Sequence, residues 1–141
     1  MKQSILKEFS LEDRDGRELP ALSLAFLGDA VYELVVRTLL TQTGRKPSEI
    51  SREKTRLVNA GRQAAIARAL LQEKLLTPQE EAVLRRGRNA NPHTLAKHAA
   101  PGDYHLATGL ECLLGHLYWK EETERLIWLI RTGIENTEEI S

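Results

Sequence analysis

The stretch "LAFLGDAVYE", Leu24 to Glu33, puts an aspartate directly after a glycine in one of the most apolar parts of the chain. From Ala21 to Leu40 the ionisable residues are Asp29, Glu33 and Arg37, spaced i, i+4 and i+8, so a helix would carry them as one polar stripe. The rest of that segment is apolar nearly all round, which predicts a buried helix. A second apolar stretch, Leu106 to Trp119, carries Glu111 as its lone carboxylate, with His116 further on. Leu110, Leu113, Leu114 and Leu117 give it an i, i+3, i+4, i+7 stripe, and Gly109 and Gly115 permit close helix packing.

An unpaired buried carboxylate costs about several kcal/mol, so each must be neutralised, paired or bound to a metal. Carboxylate oxygens suit hard cations, and Mg²⁺ takes one or two protein carboxylates alongside water and substrate phosphate. Two core helices with one carboxylate each fit such a site. The alternative is ion pairing of Asp29 with Arg37 or another arginine, and of Glu111 with a basic side chain. His105 and His116 are weaker ligand candidates.

The 141 residues suffice for one domain, 1–141, with a real core. With 41% hydrophobic and 28% charged residues the composition is that of a globular protein. "MKQSILKEFSLED" lacks the apolar core of a signal peptide, and no apolar run reaches membrane-spanning length; a cytoplasmic protein without membrane contact is expected. The single cysteine, Cys112, excludes an internal disulfide and a cysteine-based zinc site, and reads as a small buried hydrophobe.

The zero net charge hides segregation. Arg45 to Arg68 holds seven basic and two acidic residues; Arg85 to His98 holds four basic residues, two histidines and no acid. A polyanion needs only such a local basic face, not a high pI. With 5% aromatic residues, a stacking platform for single strands is not expected.

Strand signals are absent and an all-α fold is predicted. A short helix is expected around Ile5, then helices over about 21–41, 48–76 with a bend at Asn59–Gly61, 77–86, 103–119 and 123–134. Thr77, Pro78 and Glu80 form a capping box with proline at the first helical position. Residues 90–103 read as the one long loop, closed by Asp103 as a helix cap.

"LAFLGDAVYE" resembles the signature motif of the ribonuclease III catalytic domain, centred on Phe26-Leu27-Gly28-Asp29-Ala30. "ATGLECLLGHLYW" resembles the family's second acidic motif around Glu111, and "ISREKTRLVNAGRQAAIA" its middle helices. The length and "VLRRGRNA" at 83–90 are similar to the Mini-III subfamily, which lacks a double-stranded-RNA-binding domain. The resemblance implies an all-helical, homodimeric, Mg²⁺-dependent endonuclease that cuts double-stranded RNA to 5′-phosphate ends, with 23S ribosomal RNA precursor as its best-known substrate.

By position, Asp29 and Glu111 match catalytic, metal-binding carboxylates. Glu33 and Thr108, one turn from them, are candidates for an outer layer of the site. Phe26 matches the aromatic that crosses the dimer interface, with ordinary core as the alternative. The usual acids at positions 22, 25 and 108 are here Leu22, Ala25 and Thr108. Only Asp29 and Glu111 remain as acidic ligands, implying one well-held Mg²⁺ rather than a two-metal clamp. The same losses also fit a catalytically silent RNA-binding relative. Grip on A-form RNA, made through phosphates and 2′-hydroxyls, is expected from Arg85, Arg86, Arg88, Asn89, Lys97 and His98, and more weakly from Arg52, Arg56 and Arg62.

Overall fold

The computed structural model describes residues 1–90 and 101–138, so Lys97 and His98 lie outside the described residues. The described elements are α1 (Lys2–Glu8), a 3₁₀ turn (Gly16–Glu18), α2 (Ala21–Gln42), α3 (Pro47–Leu57), α4 (Ala60–Gln72), α5 (Pro78–Arg88), α6 (Pro101–Trp119) and α7 (Thr123–Glu138). No strand occurs among the described residues.

Local chemistry sets the helix starts. Thr77 Oγ1 accepts from the Glu80 amide at 3.1 Å, and Glu80 Oε1 accepts from the Thr77 amide at 2.9 Å, the expected capping box. Glu80 is buried and also accepts from Arg125 at 2.8 Å, which ties α5 to α7. Asn59 breaks the 48–76 segment by capping α4, its Oδ1 accepting from the Arg62 amide at 2.8 Å.

Helix α6 runs through the centre and packs on α2, α4, α5 and α7. Leu113 and Leu114 are fully buried, Leu110 and Leu117 nearly so, and each such side chain contributes about 1.5–3 kcal/mol through burial. Cys112 is buried among them, as expected.

Glycines set the closeness of two of these contacts. A Cβ on Gly28 would stand 1.7 Å from the Glu111 carbonyl oxygen, and one on Gly115 would stand 1.8 Å from that of Leu24. Helices α2 and α6 therefore cross backbone to backbone.

Several boundaries differ from expectation. Helix α2 is not buried all round: Ala21, Leu24, Ala25, Gly28, Tyr32, Val36 and Leu40 face the core, whereas Leu22, Phe26, Leu34 and Leu39 are exposed. Periodicity could not separate the two apolar faces because both are apolar. Asp103 does not cap α6 but lies in its first turn, since the helix already starts at Pro101; its carboxylate accepts from Arg68 instead. Helices α5 and α7 each run past their expected ends, to Arg88 and Glu138.

Candidate active site

Asp29 follows Gly28, and Glu111 is the residue whose backbone Gly28 touches. The crossing thus delivers both carboxyls to one place from two elements. The Asp29 and Glu111 side chains meet in a hydrogen bond, with Asp29 exposed and Glu111 half-buried. Burial first, then this hydrogen bond and the Asp29 charge, push Glu111 up to about 9. Two carboxyls in contact cannot both ionise cheaply, so a proton or a cation must stand between them.

No basic side chain pairs with either carboxyl among the described ion pairs, so the pairing alternative is not what is observed: Arg37 takes Glu33 instead, at 2.5 Å. No group of three or more histidine, cysteine, aspartate or glutamate side chains suited to a metal is found among the described residues. Asp29 and Glu111 alone form a two-carboxylate, all-oxygen donor set. That set fits Mg²⁺, which needs no more than one or two protein carboxylates.

The other candidates distribute as follows. Glu33 is held by Arg37 on the α2 surface. Thr108 is buried and its hydroxyl donates to the Tyr104 carbonyl at 3.0 Å, a bond within α6. His116 is buried, and loss of solvation lowers its pKa, which keeps it neutral. Phe26 is 81% exposed, which removes the ordinary-core alternative.

The basic end of α5 lies along α6. A Cβ on Gly109 would stand 2.7 Å from the Leu84 carbonyl oxygen and 3.3 Å from the Arg88 amide nitrogen. Arg85 is exposed and faces Glu81 at 3.5 Å, while Arg88 Nε donates to Asn89 Oδ1 at 3.4 Å. Arg86 is committed to the fold, donating to the Leu19 carbonyl just before α2.

Two features escaped the sequence reading: the Arg68–Asp103 bridge between α4 and α6, and the burial of the Arg62 guanidinium. Neither has a periodic signal, because both arise from where α3, α4, α6 and α7 meet.

An all-helical domain whose central crossing joins two carboxylates defines a class, and the comparisons agree on it. The Ribonuclease III domain model matches residues 22–122. The chain is 42% identical over 127 residues to "Mini-ribonuclease 3" of Enterococcus faecalis, covering 89% of this chain and 96% of the relative. It is 41% identical to "Mini-ribonuclease 3" of Streptococcus pneumoniae over 118 residues, covering 83% and 92% respectively. A crystal structure of a protein from Fusobacterium nucleatum superposes with a TM-score of 0.76 at 27% identity, covering 86% of this chain and 96% of that one. The chain belongs to the ribonuclease III family, within its Mini-ribonuclease 3 branch.

Proposed function

We propose that this chain is a Mg²⁺-dependent endoribonuclease that cuts double-stranded RNA, acting in the cytoplasm as a homodimer on 23S ribosomal RNA precursor. The observation that carries this reading is the contact between the Asp29 and Glu111 carboxyls at the α2–α6 crossing.

Asp29 and Glu111 would hold the ion. When bound, Mg²⁺ supplies Lewis-acid stabilisation of the charge that develops on a phosphodiester undergoing hydrolysis. Glu111 gives up the proton it holds in the metal-free pair, and Gly28 keeps the two carboxyls in register. Arg85, Arg88 and Asn89 at the end of α5 supply positive charge and donors for RNA phosphates, with Lys97 and His98 as further contacts. Arg86 contributes charge from a position fixed by Leu19. Leu22, Phe26 and Leu34 make an exposed apolar strip at i, i+4 and i+12 along α2, a surface suited to a second copy. No helix among the described residues is long and apolar enough to cross a membrane.

One observation favours a second reading. Leu22, Ala25 and Thr108 supply no acid, and the Thr108 hydroxyl is already bonded within α6. A silent RNA-binding relative would look the same there.

Cleavage of long double-stranded RNA with and without Mg²⁺ separates the readings. Wild type should cut only with Mg²⁺, and Asp29→Asn and Glu111→Gln should each lose about 10²–10³-fold, as when one electrostatic stabiliser is removed. Binding without cleavage by wild type would favour the silent relative. Cleavage that persists in both variants would remove the assigned site.

A further inference from the structure

Away from the carboxyl pair, a cavity of about 510 Å³ opens where α3, α4 and α7 meet. Its wall includes Arg56, Asn59, Arg62, Arg68, Gln72 and Thr137, three of them cations. Arg56 pairs with Glu53 and with Glu138, the latter at 3.0 Å, and Arg68 pairs with Asp103.

Arg62 differs from both. Its side chain is 11% exposed, and its Nε and Nη2 atoms are buried without a hydrogen-bond partner among the described residues. Among the described residues the carboxylate oxygen paired with it, Glu138 Oε1, lies 3.9 Å from Nη2, beyond hydrogen-bond reach. The Arg62 charge also acts on Glu53, which it helps the Arg56 hydrogen bond to hold below the usual carboxylate range, and on Tyr32. Burial raises its phenol to about 12, so it stays neutral, and its hydroxyl already donates to the Leu57 carbonyl at 2.7 Å. A buried guanidinium always carries its charge, and leaving its donors unmade is costly. Three arginines on one cavity wall, one of them holding unmade donors just behind it, supply the charge and planar donors that phosphate recognition uses.

We propose that the Arg56–Arg62–Arg68 cavity is a binding site for a phosphate group, separate from the Asp29–Glu111 pair. The group comes either from a nucleic-acid backbone or from a free phosphate or mononucleotide, since the recognising chemistry is common to both. Arg62 is the central donor, and Glu138 is the carboxylate that the phosphate displaces or repels.

The probe is inorganic phosphate, titrated against thermal unfolding of the full chain, with chloride at matched ionic strength as control. Phosphate should raise the wild-type melting temperature in a saturable way. Arg62→Gln should weaken apparent phosphate affinity at least about tenfold. Glu138→Gln, which removes a competing negative charge without touching the guanidinium, should strengthen it. Melting in chloride reports whether either variant has lost its fold, and the opposite signs keep the test decisive if Arg62→Gln proves unstable. No stabilisation beyond chloride, or equal phosphate affinity in wild type and Glu138→Gln, overturns the site.

A second arm assigns the source by measuring binding of a short RNA duplex to Asp29→Asn with and without Arg62→Gln. Weaker duplex binding that free phosphate also competes away identifies a backbone phosphate. Unchanged duplex binding, with the phosphate effects retained, identifies a free phosphate or mononucleotide. Failure of RNA cleavage leaves this site standing, and failure of this site leaves the carboxyl pair standing.

Discussion

Helix α6 makes two glycine-lined crossings, and only one of them joins two carboxyls. Against α2, Gly28 and Gly115 each face backbone, at 1.7 and 1.8 Å for a built Cβ. Against α5, Gly109 faces the Leu84 carbonyl and Gly87 faces the Cys112 Cβ at 2.4 Å. The packing device is the same. What differs is the neighbour in sequence: Asp29 follows Gly28 and meets Glu111, whereas Gly87 lies between Arg86 and Arg88. Close backbone approach therefore does not make a site by itself. It fixes the separation of whatever side chains flank it, carboxyls at one crossing and guanidinium groups at the other.

The largest effect expected from breaking this comparison is at Gly28. Gly28→Ala must push α2 off the α6 backbone, costing about 3 kcal/mol or more, at the upper end of overpacking. Gly87→Ala meets the Cys112 Cβ at 2.4 Å and the Gly109 Cα at 3.1 Å, a less severe overlap than the 1.7 Å at Gly28, and should cost less. Gly28→Ala should also separate Asp29 from Glu111, so cleavage per folded molecule falls, while Gly87→Ala leaves cleavage per folded molecule largely intact. Denaturant melts and cleavage rates on both variants check this. Equal losses of cleavage would mean that the crossing geometry, not the carboxyl pair, limits activity.

A smaller effect distinguishes the crossings by pH. Burial and the Asp29 carboxyl push Glu111 up to about 9 in the fold, against 4.5 ordinarily. Between those values the folded chain binds more protons than the unfolded one, so metal-free stability falls as pH rises, by up to about 1.4 kcal/mol per unit. The contribution is fully present below pH 4.5 and lost as pH passes the folded value. Glu111→Gln stays neutral, so in chelator it should flatten this slope and melt above wild type at about pH 8. Added Mg²⁺ should stabilise wild type and not the variant. Wild-type and variant stability curves of the same shape would mean that Glu111 is not held neutral by its surroundings.

Much of the first crossing was legible in sequence. "LAFLGDAVYE" and the leucine stripe around Glu111 give two apolar helices with one acid each, and Thr77 with Glu80 gives the start of α5. The exposure of Phe26 was not legible, because an apolar residue on an apolar helix carries no mark of which face meets the core. Asp103 was misplaced because an aspartate after a Pro-Gly pair has the signature of a cap, whereas α6 begins at that proline. The burial of Arg62 and the pairing of Arg68 with Asp103 depend on contacts between residues far apart in sequence, to which periodicity is blind.

Glu33 gives the finest test of the boundary between the site and the surface around it. It lies one turn beyond Asp29 on α2, yet its carboxylate meets Arg37 at 2.5 Å, with side chains 30% and 58% exposed. An exposed i, i+4 pair contributes about 0.3–0.5 kcal/mol. Glu33→Gln should therefore lower the melting temperature by about 1–2 °C. Cleavage should stay close to wild type, because the carboxyl that meets Asp29 comes from Glu111 and not from the next turn of the same helix. A cleavage loss as large as that of Asp29→Asn, with stability barely changed, would move Glu33 from the surface pair into the carboxylate site. The Arg37→Gln variant then decides whether Glu33 acts alone or through its partner, since freeing Glu33 would raise cleavage in the first case and lower it in the second.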